Sequence, residues 1–216
     1  MLGITPNGVP EPDLLGWELK AHSGSGRITL MTPEPTVGIY AANYVDFMRQ
    51  YGRSRNNGRI DFAGTHYCGQ RSNRTGLTLR LNGFDPTSRS ITDPEGGLSL
   101  LDDNGELAAG WTFADLMAHW ARKHANTAFM RYQKDLTNGR PRYRYGPEVT
   151  TAQGSPFERY LAALHAQTII YDPGCKLEPN VQSRSGWNQK KRNQFRISWS
   201  KIDTIYETIT HLDLSQ

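Results

Sequence analysis

Glu11-Pro12-Asp13-Leu14-Leu15-Gly16-Trp17-Glu18-Leu19-Lys20 sets two carboxylates and a lysine against a short apolar segment. Gly16 to Ala21 reads as a strand. Side chains two apart on a strand share a face, so Glu18 and Lys20 point one way. Trp17, Leu19 and Ala21 are expected to point the other way, into the sheet. Pro12 restricts the approach of Asp13, and Gly16 permits a bend that brings Asp13 over Glu18 and Lys20. Two converging carboxylates suit Mg²⁺, a hard cation with oxygen ligands. The backbone carbonyl of Leu19 adds a third oxygen if the strand edge is open. Such a metal polarises a phosphodiester and acidifies its bound water. Lys20 would orient that water or offset charge on the phosphoryl oxygens. The plainer alternative is a surface hairpin with solvated Glu18 and Lys20.

Outward from this stretch, Ser23-Gly24-Ser25-Gly26 reads as a turn and Arg27–Met31 as a returning strand, so a hairpin within a central sheet is expected. Tyr40–Tyr51 reads as one helix, Arg53–Arg59 as a polar loop, and Thr75–Leu81 and Leu98–Leu101 as strands. In Thr112–His124, Phe113, Leu116, Met117 and Trp120 recur at helical spacing behind a threonine cap. Ser155-Pro156-Phe157-Glu158 has capping-box spacing ahead of a second helix. Phe195–Trp199 reads as a strand and Lys201–Ile209 as a closing helix. The expected class is α/β in the broad sense, mixed α+β. One domain over residues 1–216 is expected, built as a catalytic lobe and a recognition lobe.

Of the 216 residues, 37% are hydrophobic, enough for one core but below a typical globular share. The net charge of +4 is modest, so local clusters decide what the surface binds. No apolar run approaches the ~18 residues of a membrane span. The first residues, Met1 to Asn7, lack the basic and apolar regions of a secretory signal, so a cytoplasmic protein is expected. Cys68 and Cys175 match no metal spacing and read as free thiols, with one disulfide formally open.

Between Arg184 and Lys201 lie Arg184, Lys190, Lys191, Arg192, Arg196 and Lys201, with Asn and Gln interspersed and no acid. Arginine reads guanine and Asn or Gln reads adenine in the major groove, so this segment is the candidate recognition loop. Its plain alternative is a solvated basic loop. In Arg140-Pro141-Arg142-Tyr143-Arg144-Tyr145 the alternation sets Arg142 and Arg144 on one exposed face and the tyrosines on the other. Arg49, Arg53, Arg55 and Arg59 form a third cluster that could grip a duplex or pair with nearby acids. His22 shares the face of Lys20; it either touches phosphate or is a polar strand end. His66 and Cys68 lack companion ligands for zinc. His119 and His124 read as packing and surface residues of a helix, and Trp111 and Trp120 as core.

Leu2-Gly3-Ile4, Asn7, Pro12-Asp13, Gly16, Glu18-Leu19-Lys20-Ala21 and Thr29-Leu30-Met31-Thr32 before Pro33 resemble the MvaI/BcnI family of type II restriction endonucleases. These are relatives of the mismatch-repair nicking enzyme MutH. Gln194-Phe195-Arg196-Ile197-Ser198, then Ile202 and Tyr206, are similar to the family's closing elements. The resemblance covers about the first thirty residues and, more weakly, the end of the chain. It implies the PD-(D/E)xK nuclease fold and Mg²⁺-dependent cleavage of double-stranded DNA at a short sequence, often by a monomer. It gives Asp13 and Glu18 metal-ligand roles and Lys20 the catalytic-lysine role. A cognate methyltransferase acting on the same site would be its usual companion. The alternatives are a MutH-like nicking repair nuclease and a non-catalytic DNA-binding module. The family also has a helical segment with a further glutamate ahead of this motif. With Met1 directly before Leu2, that segment is expected to be absent.

Overall fold

The computed structural model describes residues 12–137 and 139–215. The Leu2-Gly3-Ile4 stretch and the expected lack of a preceding helix fall outside the described residues. In chain order the elements are β1 (Glu18–His22), β2 (Arg27–Met31), α1 (Ile39–Ala42), α2 (Tyr44–Tyr51), β3 (Arg53–Ser54) and β4 (Ile60–Ala63). Then come β5 (Thr78–Asn82), β6 (Phe84–Asp85), β7 (Ser90–Ile91), β8 (Gly97–Leu101), β9 (Leu107–Thr112) and α3 (Phe113–His124). The long strands β10 (Asn126–Thr137) and β11 (Arg140–Gln153) precede α4 (Phe157–His165), β12 (Ile169–Tyr171) and β13 (Gly174–Pro179). The chain closes with β14 (Trp187–Lys190), β15 (Phe195–Ser198), a 3₁₀ turn (Trp199–Ile205) and β16 (Thr208–Asp213).

The catalytic candidate strand β1 is the edge of a mixed sheet ordered β1-β10-β11-β16, in which only β1 and β10 run parallel. Three more sheets follow the orders β12-β15-β2, β14-β13-β4-β3 and β5-β8-β9, with β6-β7 as a small ribbon. Helix α3 packs against β2, β9, β10 and α4. The architecture is therefore mixed α+β, with helices flanking a central sheet. Trp111, Trp120, Tyr160, Tyr171, Phe47, Phe62, Phe113, Phe129 and Phe195 are fully buried and fill the core. Both cysteines are buried free thiols. No helix among the described residues is long and apolar enough to cross a membrane.

Several local expectations are corrected. β1 and β2 do not form a hairpin: β1 pairs with β10 and β2 with β15. Gly24 and Gly26 both take positive φ between them and turn the chain out of the sheet. The positive φ of Gly24 is what selects glycine there, since the nearest atoms to a Cβ belong to the movable end of Arg131. The faces of β1 are inverted: Glu18 and His22 are buried while Ala21 is exposed. The Glu18 face meets α3 and the 3₁₀ turn, whereas the Leu19 face is partly open. The Tyr40–Tyr51 helix breaks at Asn43, whose side chain accepts from the backbone N–H of Val45 and Asp46 and starts α2 afresh. Ser155 does not cap α4; its hydroxyl donates to the Ile205 carbonyl at 2.6 Å. The closing helix is a 3₁₀ turn followed by a strand, because Thr208-Ile209-Thr210 is β-branched and pairs with β11. The candidate recognition loop contains two strands, β14 and β15, which belong to different sheets.

Candidate active site

Asp13 reaches β1 through a two-residue turn. Leu14 and Trp17 exchange both backbone hydrogen bonds, at 3.0 and 2.8 Å, around Leu15 and Gly16. Both central residues have positive φ, +48° at Leu15 and +80° at Gly16, as a type I′ turn requires. Nothing lies within 4 Å of a Cβ built at Gly16, so the backbone angle and not space selects glycine there. Leu15 holds the same region at a cost, of the kind that collects near functional sites. The turn doubles the chain back, and the Leu19 N–H donates to Asp13 Oδ2 at 2.9 Å. That bond lies on the free edge of β1, opposite β10. The N–H and C=O of one strand residue point to the same side, so the Leu19 carbonyl faces the same open edge.

Glu18 is only 6% exposed, and each of its oxygens meets an ammonium. Lys20 Nζ lies 3.2 Å from Oε1, and Lys123 Nζ lies 2.9 Å from Oε2. Lys20 Nζ also donates to the Leu30 carbonyl at 3.0 Å, which ties β1 to β2 without a shared ladder. Burial is the largest influence on Lys20 and lowers its pKa from the ordinary lysine value; Glu18 opposes this, and Asp13 adds a smaller pull in the same sense as Glu18. The lysine is thereby a readier proton carrier than one in water.

Below Lys20 lies a buried polar chain from α3. His124 is pushed well below the usual histidine range by burial, then by the charge of Lys20, so its ring is neutral at pH 7. A neutral ring carries one N–H. Nε2 faces the Leu30 carbonyl at 3.2 Å and holds that proton, so Nδ1 accepts from the Tyr206 hydroxyl at 2.6 Å. The same carbonyl therefore receives both Lys20 and His124. Stacking on Trp120, with centroids 3.8 Å apart, fixes the imidazole.

Asp13, the Leu19 carbonyl and Glu18 form an all-oxygen set of the kind Mg²⁺ takes, completing its shell with water and substrate oxygens. Among the described residues, no group of three or more His, Cys, Asp or Glu is gathered as a richer metal cage.

The sequence profile of the MvaI/BcnI restriction endonuclease family matches residues 1–206. The chain belongs to that family. Its structure is similar to a restriction endonuclease MvaI–cognate DNA substrate complex, with a TM-score of 0.73 at 17% identity over 96% of this chain and 82% of that one. It is also similar to restriction endonuclease MvaI in the absence of DNA, with a TM-score of 0.59 at 18% identity over 93% and 80%. At these identities the likeness establishes the fold, a PD-(D/E)xK restriction-endonuclease architecture of MutH type. No curated protein matches the chain.

Within this family member the remaining candidate residues fall in different settings. His22 is buried and stacks on Trp199 at 3.8 Å, with Nδ1 accepting from the Gly24 N–H at 3.1 Å. It lines a cavity of about 490 Å³ with Arg131, Glu148, Thr150 and His211. Arg142 and Arg144 stand exposed on the outer part of β11. Arg184, Lys190 and Arg192 are exposed as well. Lys191 bonds Glu34 Oε2 at 2.9 Å and lies over the Tyr40 and Tyr44 rings. Arg196 is held by Asp172 at 2.7 Å and by the Arg27 carbonyl at 3.1 Å. Of the third basic cluster, Arg55 and Arg59 both pair with Asp61 and serve the structure. Sequence reasoning did not single out Lys123, and it read His124 only as a packing or surface residue of the helix. Their only linear signal is the basic last turn of α3, which also fits a solvated helix end.

Proposed function

We propose that the chain is a Mg²⁺-dependent endonuclease that hydrolyses phosphodiester bonds of double-stranded DNA at a short sequence. What supports the reading is the bonded Glu18–Lys20 pair on β1 beside the strand edge where Asp13 accepts from the Leu19 N–H, in a member of a restriction-endonuclease family. The donor set fits the ion in chemistry: Asp13, the Leu19 carbonyl and Glu18 would hold it, with Glu18 giving up one of its two ammonium partners to do so. When bound, it supplies Lewis acidity to the phosphate and lowers the pKa of water. Lys20, already bonded to Glu18, orients the attacking water or offsets charge on the phosphoryl oxygens. The Leu30 carbonyl, His124 and Tyr206 keep that lysine in place. Arg184, Lys190 and Arg192 are proposed to contact the duplex directly; Lys191 and Arg196 would do so only by leaving their acidic partners. His22 would reach a phosphate through the cavity it lines. The protein would act as a monomer in the cytoplasm, with a methyltransferase of the same site specificity protecting host DNA.

Incubation with supercoiled DNA of mixed sequence tests this reading. Discrete fragments should form only with Mg²⁺, and Asp13→Ala should abolish them while duplex binding persists. Cutting by Asp13→Ala at the wild-type rate would remove the metal-ligand assignment. Binding without cutting by the wild type would leave a DNA-binding module.

A further inference from the structure

Strands β10 and β11 run well past their neighbours. β1 ends opposite Arg131, and β16 pairs no further along β11 than Glu148. Residues 132–137 and 140–145 therefore continue as a two-stranded ribbon, with no third strand among the described residues. A two-stranded ribbon is at best marginally stable alone in water, so this extension adds nothing to the core. Gly139, at the tip, has a positive φ of +72°.

The register sorts its side chains into two faces. Tyr132 opposes Tyr145, Lys134 opposes Tyr143 and Leu136 opposes Pro141. Gln133 opposes Arg144, Asp135 opposes Arg142 and Thr137 opposes Arg140. Directly opposed residues share a face, so one face is aromatic and the other carries Arg140, Arg142 and Arg144. Two contacts agree with this sorting: Tyr132 meets Tyr143 edge-on, and Arg144 pairs with Asp135.

The arginine face is also the face of the catalytic candidates. Glu18, Lys20 and His22 oppose Thr127, Phe129 and Arg131. At the irregularity after Met130, Arg131 alone on β10 stands against three residues of β11, Gly146 to Glu148, so the two extra residues are on β11. β10 keeps its alternation, so Thr127, Phe129, Arg131, Gln133, Asp135 and Thr137 lie on one side. The joint lining of one cavity by His22, Arg131 and His211 fits that side. Measured from Phe129 along the strand at ~3.4 Å per residue, Arg144 lies about 14 Å away, Arg142 about 20 Å and Arg140 about 27 Å.

We propose that this ribbon is an arm that holds the phosphate backbone of duplex DNA flanking the cleaved site, through Arg140, Arg142 and Arg144. The inference rests on the DNA-cleaving reading above. Arg142 and Arg140 reach roughly six and eight base pairs at 3.4 Å each, beyond a short recognition site, while Arg144, at roughly four, stands at its border. Three arginines with one acid give the face a net positive charge, and a β-ribbon is a shape that the major groove admits. The aromatic face would remain in solvent.

The test compares the salt dependence of binding to mixed-sequence duplexes of about ten and about thirty base pairs, one and three helical turns. R140S/R142S/R144S should lower the slope of log K against log salt by about two units on the long duplex, allowing for Asp135. On the short duplex, which ends about five base pairs from its centre, only Arg144 reaches and its partner Asp135 offsets it, so the slope should match the wild type. R140K/R142K/R144K should keep the wild-type slope on both, which separates charge from misfolding. Equal slopes for wild type and serine variant on the long duplex overturn the arm alone. An equal loss on both lengths places the arginines inside the site and overturns the flanking contact. An unchanged slope with a shifted monomer–dimer equilibrium would seat a second copy on the arm instead. A wild type that binds neither duplex overturns the DNA reading, and the arm with it.

Discussion

Glu18 is 6% exposed, with an ammonium on each oxygen at 3.2 and 2.9 Å, whereas Arg140, Arg142 and Arg144 on the same sheet face stand in solvent. The contrast follows from solvation. A buried charge is tolerated only when partners replace its water, and removing one partner strands the other. The two lysines, the Leu30 carbonyl and His124 therefore form a rigid set in which each group limits the next. An exposed arginine loses little when unpaired and keeps its rotamers free. One end of the face is built for fixed geometry and the other for adaptable grip. Substitutions at the first end should change rate or stability, and those at the second should change only salt-dependent binding.

The sharpest way to break that contrast is at Lys20. Lys20→Ala is expected to slow single-turnover cleavage by about 10²–10⁴-fold, the usual range for a group positioned at the reacting atoms. Lys123→Ala removes one charge-assisted bond to Glu18 and is expected to cost about tenfold, near the low end of such bonds. Lys123 is the more exposed of the pair, with 22% of its side chain accessible against 10% for Lys20. A larger loss at Lys123 than at Lys20 would make Lys123 the working cation.

The candidate site could be proposed from the sequence because its three side chains lie within eight positions and the turn chemistry is local. Its surroundings were not. The strand that pairs with Glu18–His22 begins at Asn126, and no linear pattern links the two. The glycines after His22 suit a hairpin as well as the out-of-plane turn that forms. Inversion of the β1 faces has the same origin: alternation shows which residues share a face, but α3 decides which face is covered. Helix α3 itself was readable, since Thr112 accepts from the Asp115 N–H at 3.1 Å as its cap. The long hairpin was half visible in the Arg–Tyr alternation, and the dipeptide Asn138-Gly139 between alternating runs was its unused signal. Ile202 and Ile205 fit a helix until the β-branched Thr208-Ile209-Thr210 claims the chain for β16.

A second test sharpens the buried side by stability. His66 is fully buried, with Nε2 2.7 Å from the Thr75 hydroxyl. Burial lowers its pKa to about 4, against smaller opposing pulls from the backbone at Gly64 and Tyr171 and from Asp172. The unfolded chain therefore binds more protons between pH 6.5 and 4. The stability from a neutral His66 is complete above pH 6.5 and is lost as pH falls toward 4. The loss is about 1.4 kcal/mol per pH unit, on the order of 2 kcal/mol at pH 5. Urea unfolding of the wild type and His66→Gln at pH 7 and pH 5 reads it. The variant should lose that share of the pH dependence, and identical slopes in the two proteins would mean that His66 is not held neutral.

The smallest effect is expected in the basic segment near β14, where the exposed class meets the paired one within three consecutive residues. Lys190 and Arg192 are exposed, while Lys191 is bonded to Glu34 and lies over two tyrosine rings. Neutralising all three should lower the salt slope of duplex binding by about two units, not three, since a lysine engaged in the fold releases no counterion from DNA. Lys191→Ala alone should leave the slope unchanged and slightly lower the melting temperature, because it strands an exposed Glu34 and removes a cation over the rings. A fall of one unit for Lys191→Ala would show that the lysine leaves Glu34 for the duplex. Paired surface charges would then count among the adaptable ones, and the boundary between fixed and adaptable charge would follow burial alone.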